Sequence, residues 1–426
     1  MPVKTPIRDS GDSWTPLFQS VALKNFLSFS PDSEPLKLTA LNVLIGPNGS
    51  GKSNLIEAFD LLHATPTDFA SPIREGGSVS EWLWKGTARS VPSALEANME
   101  VVLRGSGVLD AQTLSLGAKD IRHRLQFAQS GHRLEILDET IEESSPRQNG
   151  KPDVFFYYRF QRGNPVMNVR KSPRAAGGFT ERKLQRESLT PDQSVLSQRK
   201  DPDLYPEVTR LGKLYGEIQT FREWSFGRSV APRKPQPADL QSSPLLPDAT
   251  NLGMALNDLE HRSETWQVLN DYCRRFLPRF GHLTTRVQSN QVQIYLHEKG
   301  LNSPVPATRL SDGTIRFLAL LAILLNPDAP PLICLEEPEL GLHPDALALL
   351  AELMVKASSR TQLIVTTHSD VLISALTPNL ESVIVTEMLG NGTEFQRLES
   401  AKLQHWLKEY RLGEIWRIGK LGGNLW

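Results

Sequence analysis

Short, nearly continuous apolar runs are the clearest pattern along this chain: Leu41-Asn42-Val43-Leu44-Ile45, Leu332-Ile333-Cys334-Leu335 and Leu363-Ile364-Val365. Runs of this length bounded by turn signals predict strands buried on both faces, as in a parallel sheet. Leu36 to Ile45 is expected as one strand, followed by a glycine-rich loop and a helix over Ser53 to His63. Val21–Phe29 reads as a first strand running into a turn, after an irregular start over 1–16. Pro66, Pro72, Gly76 and Gly77 mark 64–80 as a loop.

From about 96 to 160 the pattern changes. Met99–Leu103, His123–Phe127, Arg133–Leu137 and Asp153–Tyr158 are β-like runs separated by Gly, Ser and Pro, with Ser130-Gly131-His132 suited to a hairpin turn. An antiparallel sheet beside a parallel core is the expectation, which makes the chain α/β. Helical spacing predicts helices at Tyr205–Trp224 and Asn251–Phe276, either side of a linker at 231–249 that holds five prolines. Strands at Leu283–Val287 and Gln291–Leu296 then lead to an apolar helix, Ile315–Leu325. No repeat of 20–50 residues and no long heptad run is apparent.

Composition narrows this picture without redirecting it. The 426 residues, 39% apolar and 22% charged, are those of a soluble globular protein. No apolar run approaches the ~20 residues that span a bilayer, and no apolar segment follows Met1–Thr5 as a secretory signal requires. Two cysteines, Cys273 and Cys334, are too few for a disulfide framework, and Cys334 reads as a buried small hydrophobe. A cytoplasmic location follows by elimination, with no membrane partner. Net charge is −1, so binding of nucleic acid would need a local patch. One exists: from Arg159 to Lys200, ten Lys/Arg stand against Glu181, Glu187 and Asp192, a balance of +7. It reads either as a contact for nucleic-acid phosphates or as a solvated loop whose charge is offset elsewhere.

The chemistry begins after the first buried strand. Gly46-Pro47-Asn48-Gly49-Ser50-Gly51-Lys52-Ser53 carries the full spacing of a phosphate-binding P-loop, in the strand–loop–helix context that loop needs. Its glycines let backbone amides wrap phosphates, and the helix start adds its dipole. Asn48, Gly49, Ser50, Gly51, Lys52 and Ser53 are the candidate nucleotide contacts. Lys52 would reach the β/γ-phosphates and Ser53 would ligate Mg²⁺.

The strand Leu332–Leu335 ends in Glu336 and Glu337, and Pro338 stops it. A first carboxylate there can hold Mg²⁺ and the next can activate water. Glu336 is assigned to the metal and Glu337 to the general base. Thr361–Ser369 is another buried strand, ending in His368, which two parallel strands would bring to the same crevice. His368 could then hydrogen-bond the γ-phosphate. Arg309-Leu310-Ser311-Asp312-Gly313-Thr314 opens the apolar helix, where Ser311 and Gly313 form either an anion site or a plain helix cap.

Four motifs in this order resemble the ATP-binding-cassette ATPases, in particular the RecF/SMC-like branch that includes the OLD-family ATPases, often labelled AAA family ATPases. Gly46–Ser53 is similar to Walker A, Leu310–Thr314 to a variant LSGGQ signature, and Leu332–Glu337 to Walker B with its catalytic glutamate. Leu340-Gly341-Leu342-His343 resembles the D-loop and His368 the switch histidine. Leu23-Lys24-Asn25-Phe26 also looks like the soluble branch. The likeness is good over 20–63 and 305–390 and weak over 64–300. Glu336 replaces the family's usual aspartate, Asp312 replaces the first signature glycine, and Gln193 or Gln198 are candidates for the Q-loop glutamine.

The resemblance implies a P-loop NTPase fold: an ABC-ATPase-like head with an antiparallel β subdomain and a helical insertion. Residues 17–400 would form one composite head. Its nucleotide-binding core is 17–63 with 280–400, its β subdomain 96–160, and its basic loop and helical insertion 161–279. A tail, 401–426, is expected to dock on the core or a partner. The resemblance further implies ATP and Mg²⁺, and a head-to-tail homodimer in which Ser311 and Gly313 of one chain complete the site of the other. The 56 residues after Asp370 contain no aspartate, so no Toprim nuclease is expected there. Two roles are open: a DNA-associated ATPase in repair or defence against foreign DNA through 159–200, or an ATP-driven scaffold for a separate effector protein. A sensor that scarcely turns over is a third, weaker reading.

Overall fold

The computed structural model describes residues 14–86, 96–105, 119–131, 133–146, 154–161, 163–170, 179–390 and 392–422. In chain order its strands are β1 (Phe18–Lys24), β2 (Leu36–Lys37), β3 (Leu41–Ile45), β4 (Glu96–Leu103), β5 (Ile121–Ser130) and β6 (Arg133–Glu143). Then come β7 (Phe156–Gln161), β8 (Asn164–Arg170), β9 (Phe179–Lys183), β10 (Gln219–Phe221), β11 (Gln236–Pro237) and β12 (Phe280–Gln288). The last are β13 (Gln291–Glu298), β14 (Val305–Pro306), β15 (Leu332–Glu336), β16 (Gln362–Thr366), β17 (Val383–Leu389) and β18 (Gly392–Arg397).

The apolar runs form the central sheet, ordered β10-β15-β16-β3-β17-β18. It is parallel from β10 to β17, with β18 returning antiparallel. Its side chains divide by alternation. Val43, Ile45, Ile333, Leu335, Leu363 and Val365 face a core built with the helices Leu252–Glu260, Ser263–Phe276, Asp312–Leu324 and Leu347–Ala357. Leu44, Leu332, Cys334, Ile364 and Ile384 face a second core that contains the helix Lys52–Ala64. Burial on both faces is why these strands are apolar throughout. Cys334 is fully buried there, as expected of a small hydrophobe.

The second sheet is antiparallel, ordered β2-β1-β4-β5-β6-β7-β8-β9. It packs across the Lys52–Ala64 helix, where the Phe18 and Phe59 rings meet edge to face at 5.7 Å. Gln362, buried in the central sheet, ties the two sheets together through both backbone polar groups of Phe18, at 2.9 and 2.8 Å.

Several elements differ from the sequence expectations. Leu36–Ile45 is two strands in different sheets, because Asn42 accepts from Thr39 N at 2.9 Å and turns the chain between them. The 64–80 stretch contains short helices, Ala70–Glu75 and Val79–Trp82. Asn251–Phe276 breaks at His261–Arg262 into two helices. Tyr205–Trp224 is helical only over Pro206–Gly216, and the chain then enters the central sheet as β10. The basic stretch is not one loop. Arg159, Arg170, Arg182 and Lys183 lie on β7, β8 and β9, whereas Arg162, Lys171 and Arg174 fall outside the described residues. In the described part of the tail, Leu412 and Ile415 of the helix Leu412–Arg417 are buried against the helix Asp370–Ala375.

Candidate nucleotide site

The glycine-rich loop leaves β3 and is wedged between the Thr386 backbone and the side chains of Thr393 and Ser28. A Cβ on Gly46 would stand 2.1 Å from the Thr386 carbonyl oxygen. Gly51, the residue before the helix, has φ 96°, and a Cβ there would stand 2.1 Å from Thr393 Oγ1. Only glycine fits such positions. Thr393 Oγ1 also donates to the Ser50 carbonyl at 2.9 Å, and Ser28 Oγ accepts from Asn54 Nδ2 at 2.7 Å. Ser28, just past the opening Leu23-Lys24-Asn25-Phe26 motif, and the β17–β18 hairpin thus hold the loop from outside. Asn48 and Gly49 are exposed at its tip.

Lys52 is buried and donates to the carbonyl oxygens of Gly46 and Pro47 at 2.9 and 2.8 Å. Burial pulls its ammonium down to about 8, against the opposing pull of Glu337 and Glu336. Ser53 Oγ donates to Glu336 Oε1. The other oxygen of Glu336 accepts from Arg222 Nε at 2.8 Å.

Glu337 follows β15 in the left-handed region, φ 44°, a strained conformation for a non-glycine residue. Its N–H donates to the Thr366 carbonyl at 3.1 Å, and its carboxylate lies 3.5 Å from His368 Nε2. Both side chains are about one-third exposed, at 33% and 34%. His368 is held below the usual histidine range by burial and by the Lys52 charge, with Glu337 opposing, so it is neutral at neutral pH. Glu339 braces this corner, accepting from Thr367 Oγ1 at 2.5 Å and His368 N at 3.0 Å. Burial pushes its carboxyl up, and its Oε2 has no partner.

Walker A, Glu336, Glu337 and His368 therefore converge. Ser311 and Gly313 do not join them. Ser311 Oγ caps its helix, accepting from Thr314 N at 3.1 Å, and a Cβ on Gly313 would stand 2.7 Å from the Gly341 carbonyl. Among the described residues neither hydrogen-bonds to the P-loop group. Asp312 is held by Arg233, a buried guanidinium that also donates to Phe226 O at 2.8 Å and to Leu310 O. Gln193 and Gln198 are both committed elsewhere. Gln193 bonds Asp68 and Phe69, beyond the far end of the Lys52–Ala64 helix and so roughly 20 Å from its start. Gln198 bonds Thr190 N and Gln193 O.

Three residues here escape sequence reasoning: Arg222, Arg233 and Glu339. The helix-ending signal of Gly216 was the available clue to β10 and hence to Arg222. Arg233 sits in the proline-rich linker, where nothing marks it.

A magnesium nucleotide fits these residues. Ser50 Oγ is buried without a partner, the Gly46 and Gly51 cradle is one that a Cβ would fill, and Ser53 with Glu336 offers the hard oxygen donors magnesium takes.

A family model described as "AAA domain, putative AbiEii toxin, Type IV TA system" matches residues 41–374. The chain belongs to that family. This AAA-domain family makes it a P-loop ATPase, and solved structures agree on the fold. An Smc head bound to the C-winged helix domain of ScpA superposes with TM-score 0.56 at 15% identity, covering 91% of this chain and 99% of that one. An Smc head with an extended coiled coil, bound to the C-terminal domain of ScpA from Pyrococcus furiosus, gives 0.54 at 14% identity, covering 92% and 99%. No curated protein sequence matches. No described helix is long and apolar enough to cross a membrane.

Proposed function

We propose that this protein hydrolyses ATP as a head-to-tail homodimer, each nucleotide held by the P-loop of one chain and by Ser311 and Gly313 of the other. The observation that carries this reading is the split just described: a cradle, a carboxylate and a neutral histidine lie together, while Ser311 caps its own helix and Gly313 packs on the Gly341 backbone, with no hydrogen bond to that group among the described residues. Asn48 to Ser53 wrap the phosphates, with Lys52 on the β/γ oxygens. Ser53 and Glu336 hold magnesium, which when bound neutralises phosphate charge and fixes its geometry. Glu337 takes the proton of the attacking water. Neutral His368 carries one N–H, which it turns from Glu337 to the γ-phosphate when nucleotide is bound. The Arg233 ion pair answers the departure at Asp312 by offsetting a carboxylate that would otherwise repel the triphosphate.

For the cellular role, direct DNA association in repair or defence would use the basic 159–200 segment. One observation favours the other reading, control of a separate effector protein. Arg159 is paired with Glu142 at 3.2 Å, Arg186 with Glu135 at 3.1 Å and Arg170 with Glu207, so part of the +7 is offset within the chain. The SMC heads similar in fold are themselves described as bound to a separate chain, ScpA. The test is ATP turnover with and without duplex DNA, using Glu337→Gln as blank. Turnover lost in the variant establishes the hydrolase, and normal turnover in Glu337→Gln overturns it. Strong, salt-sensitive stimulation by DNA selects the DNA role, and indifference selects the effector.

A further inference from the structure

Arg222 stands where β10 ends, one position beyond the pairing of Phe221 with Leu335, and so beside Glu336 at the end of β15. Its guanidinium engages three carboxylates: Glu336 at 2.8 Å, Asp60 at 3.2 Å and Glu57 at 3.2 Å. Glu57 and Asp60 lie on the helix that starts at Lys52, so Arg222 joins the edge of the central sheet to the helix of the P-loop. With Ser53 on the first oxygen of Glu336 and Arg222 on the second, both are engaged. Among the described residues no three acidic or histidine side chains stand close enough together to hold an ion.

We propose that Arg222 is a positioning and specificity residue of the metal site: its guanidinium serves as the resident cation of Glu57, Asp60 and Glu336, so that a divalent ion enters only together with the nucleotide. This rests on the assignment of Ser53 and Glu336 as ion ligands. Glu57, Asp60 and Glu336 do not stand close enough together to ligate an ion jointly, but their summed negative charge would otherwise draw a divalent ion to Glu336 without nucleotide. The guanidinium removes that attraction in two ways. It repels a second cation at short range, and it keeps one oxygen of Glu336, leaving Ser53 and Glu336 Oε1 as the protein's donors. Two donors are too few for an ion that takes six oxygens, so the rest must come from phosphate and water. A guanidinium keeps its charge at every physiological pH, so the device does not switch off as a lysine's can.

The test uses Mn²⁺ as probe, titrated into the full-length protein and followed by electron paramagnetic resonance, with and without ADP. The wild type is expected to bind Mn²⁺ tightly only with ADP. Arg222→Gln should bind it about tenfold more tightly than the wild type without nucleotide, and Arg222→Lys should restore exclusion. Equal, weak nucleotide-free binding by folded wild type and Arg222→Gln overturns the proposal. If Arg222→Gln does not fold, the wild type decides: tight nucleotide-free binding that Glu336→Gln abolishes overturns it, and exclusion supports it. No Mn²⁺ bound with or without ADP overturns the assignment of Ser53 and Glu336, and this inference with it.

Discussion

At the P-loop, Gly51 is left-handed, Glu337 is left-handed without being glycine, Lys52 is buried and drawn down to about 8, and Ser50 Oγ has no partner. At Ser311–Thr314 the same chain behaves in the opposite way. The serine hydroxyl is engaged by its own helix, Asp312 rests on Arg233, and Gly313 is pressed on the Gly341 backbone. One end holds polar groups in reserve, whereas the other is settled before anything binds. The contrast suits their proposed tasks. A cradle gains from groups that a nucleotide satisfies, and a surface presented to a second chain gains from being preorganised.

The largest expected effect breaks the reserve at its chemical centre. Glu337→Gln should lower ATP turnover ~10²- to 10⁴-fold while leaving nucleotide binding intact and accumulating dimer, read by phosphate release and light scattering. Next, Gly313→Ala should force the D-loop aside and cost ~10²-fold in turnover, with nucleotide affinity of the isolated chain unchanged in calorimetry. Loss of affinity there would mean that the two ends are not separate. Arg233→Leu should leave buried carbonyls unsatisfied and cost about 2 kcal/mol of stability, measured by urea unfolding.

The smallest effect has the opposite sign. Lys52→Met should abolish nucleotide binding yet stabilise the nucleotide-free protein by about 1–2 kcal/mol, the cost of burying its charge less two lost hydrogen bonds. Because the folded-state value lies below the unfolded one, the folded chain sheds this proton first. The wild type therefore gains stability as pH rises from about 8 towards the ordinary lysine range, and the variant's advantage shrinks. Melting temperatures of both proteins from pH 7 to 10 check this.

How much of this was legible depended on where the determining contacts lie. The parallel strands were readable because two-sided burial leaves an unbroken apolar run, and the P-loop because its spacing is local. Glu336, Glu337 and His368 were readable because strand ends point to a common crevice. Arg222 was not. β10 has three residues, too few to show a period, and its identity as a strand comes wholly from pairing with β15, more than a hundred residues away. Arg233 was hidden likewise, since its partner Asp312 is 79 positions on. The break of 36–45 into two sheets turned on one side chain, Asn42. Ser311 remained open between ligand and cap, and its geometry is that of a cap that leaves its helix start exposed to solvent.

The order of the central sheet carries a consequence for how this protein comes into being. β3, which feeds the P-loop, pairs with β16 and β17 and with nothing nearer in sequence; Asn42 bonds Leu363 O across 321 positions. At ribosomal speeds that is roughly 15 to 60 s between the emergence of the P-loop strand and its first neighbour. During that interval β4, β5 and β6 can already pair, since they adjoin in sequence and in space, and β1 is already synthesised to join them at β4. The antiparallel sheet is thus the nascent chain's first scaffold, and the central sheet is the last part to close.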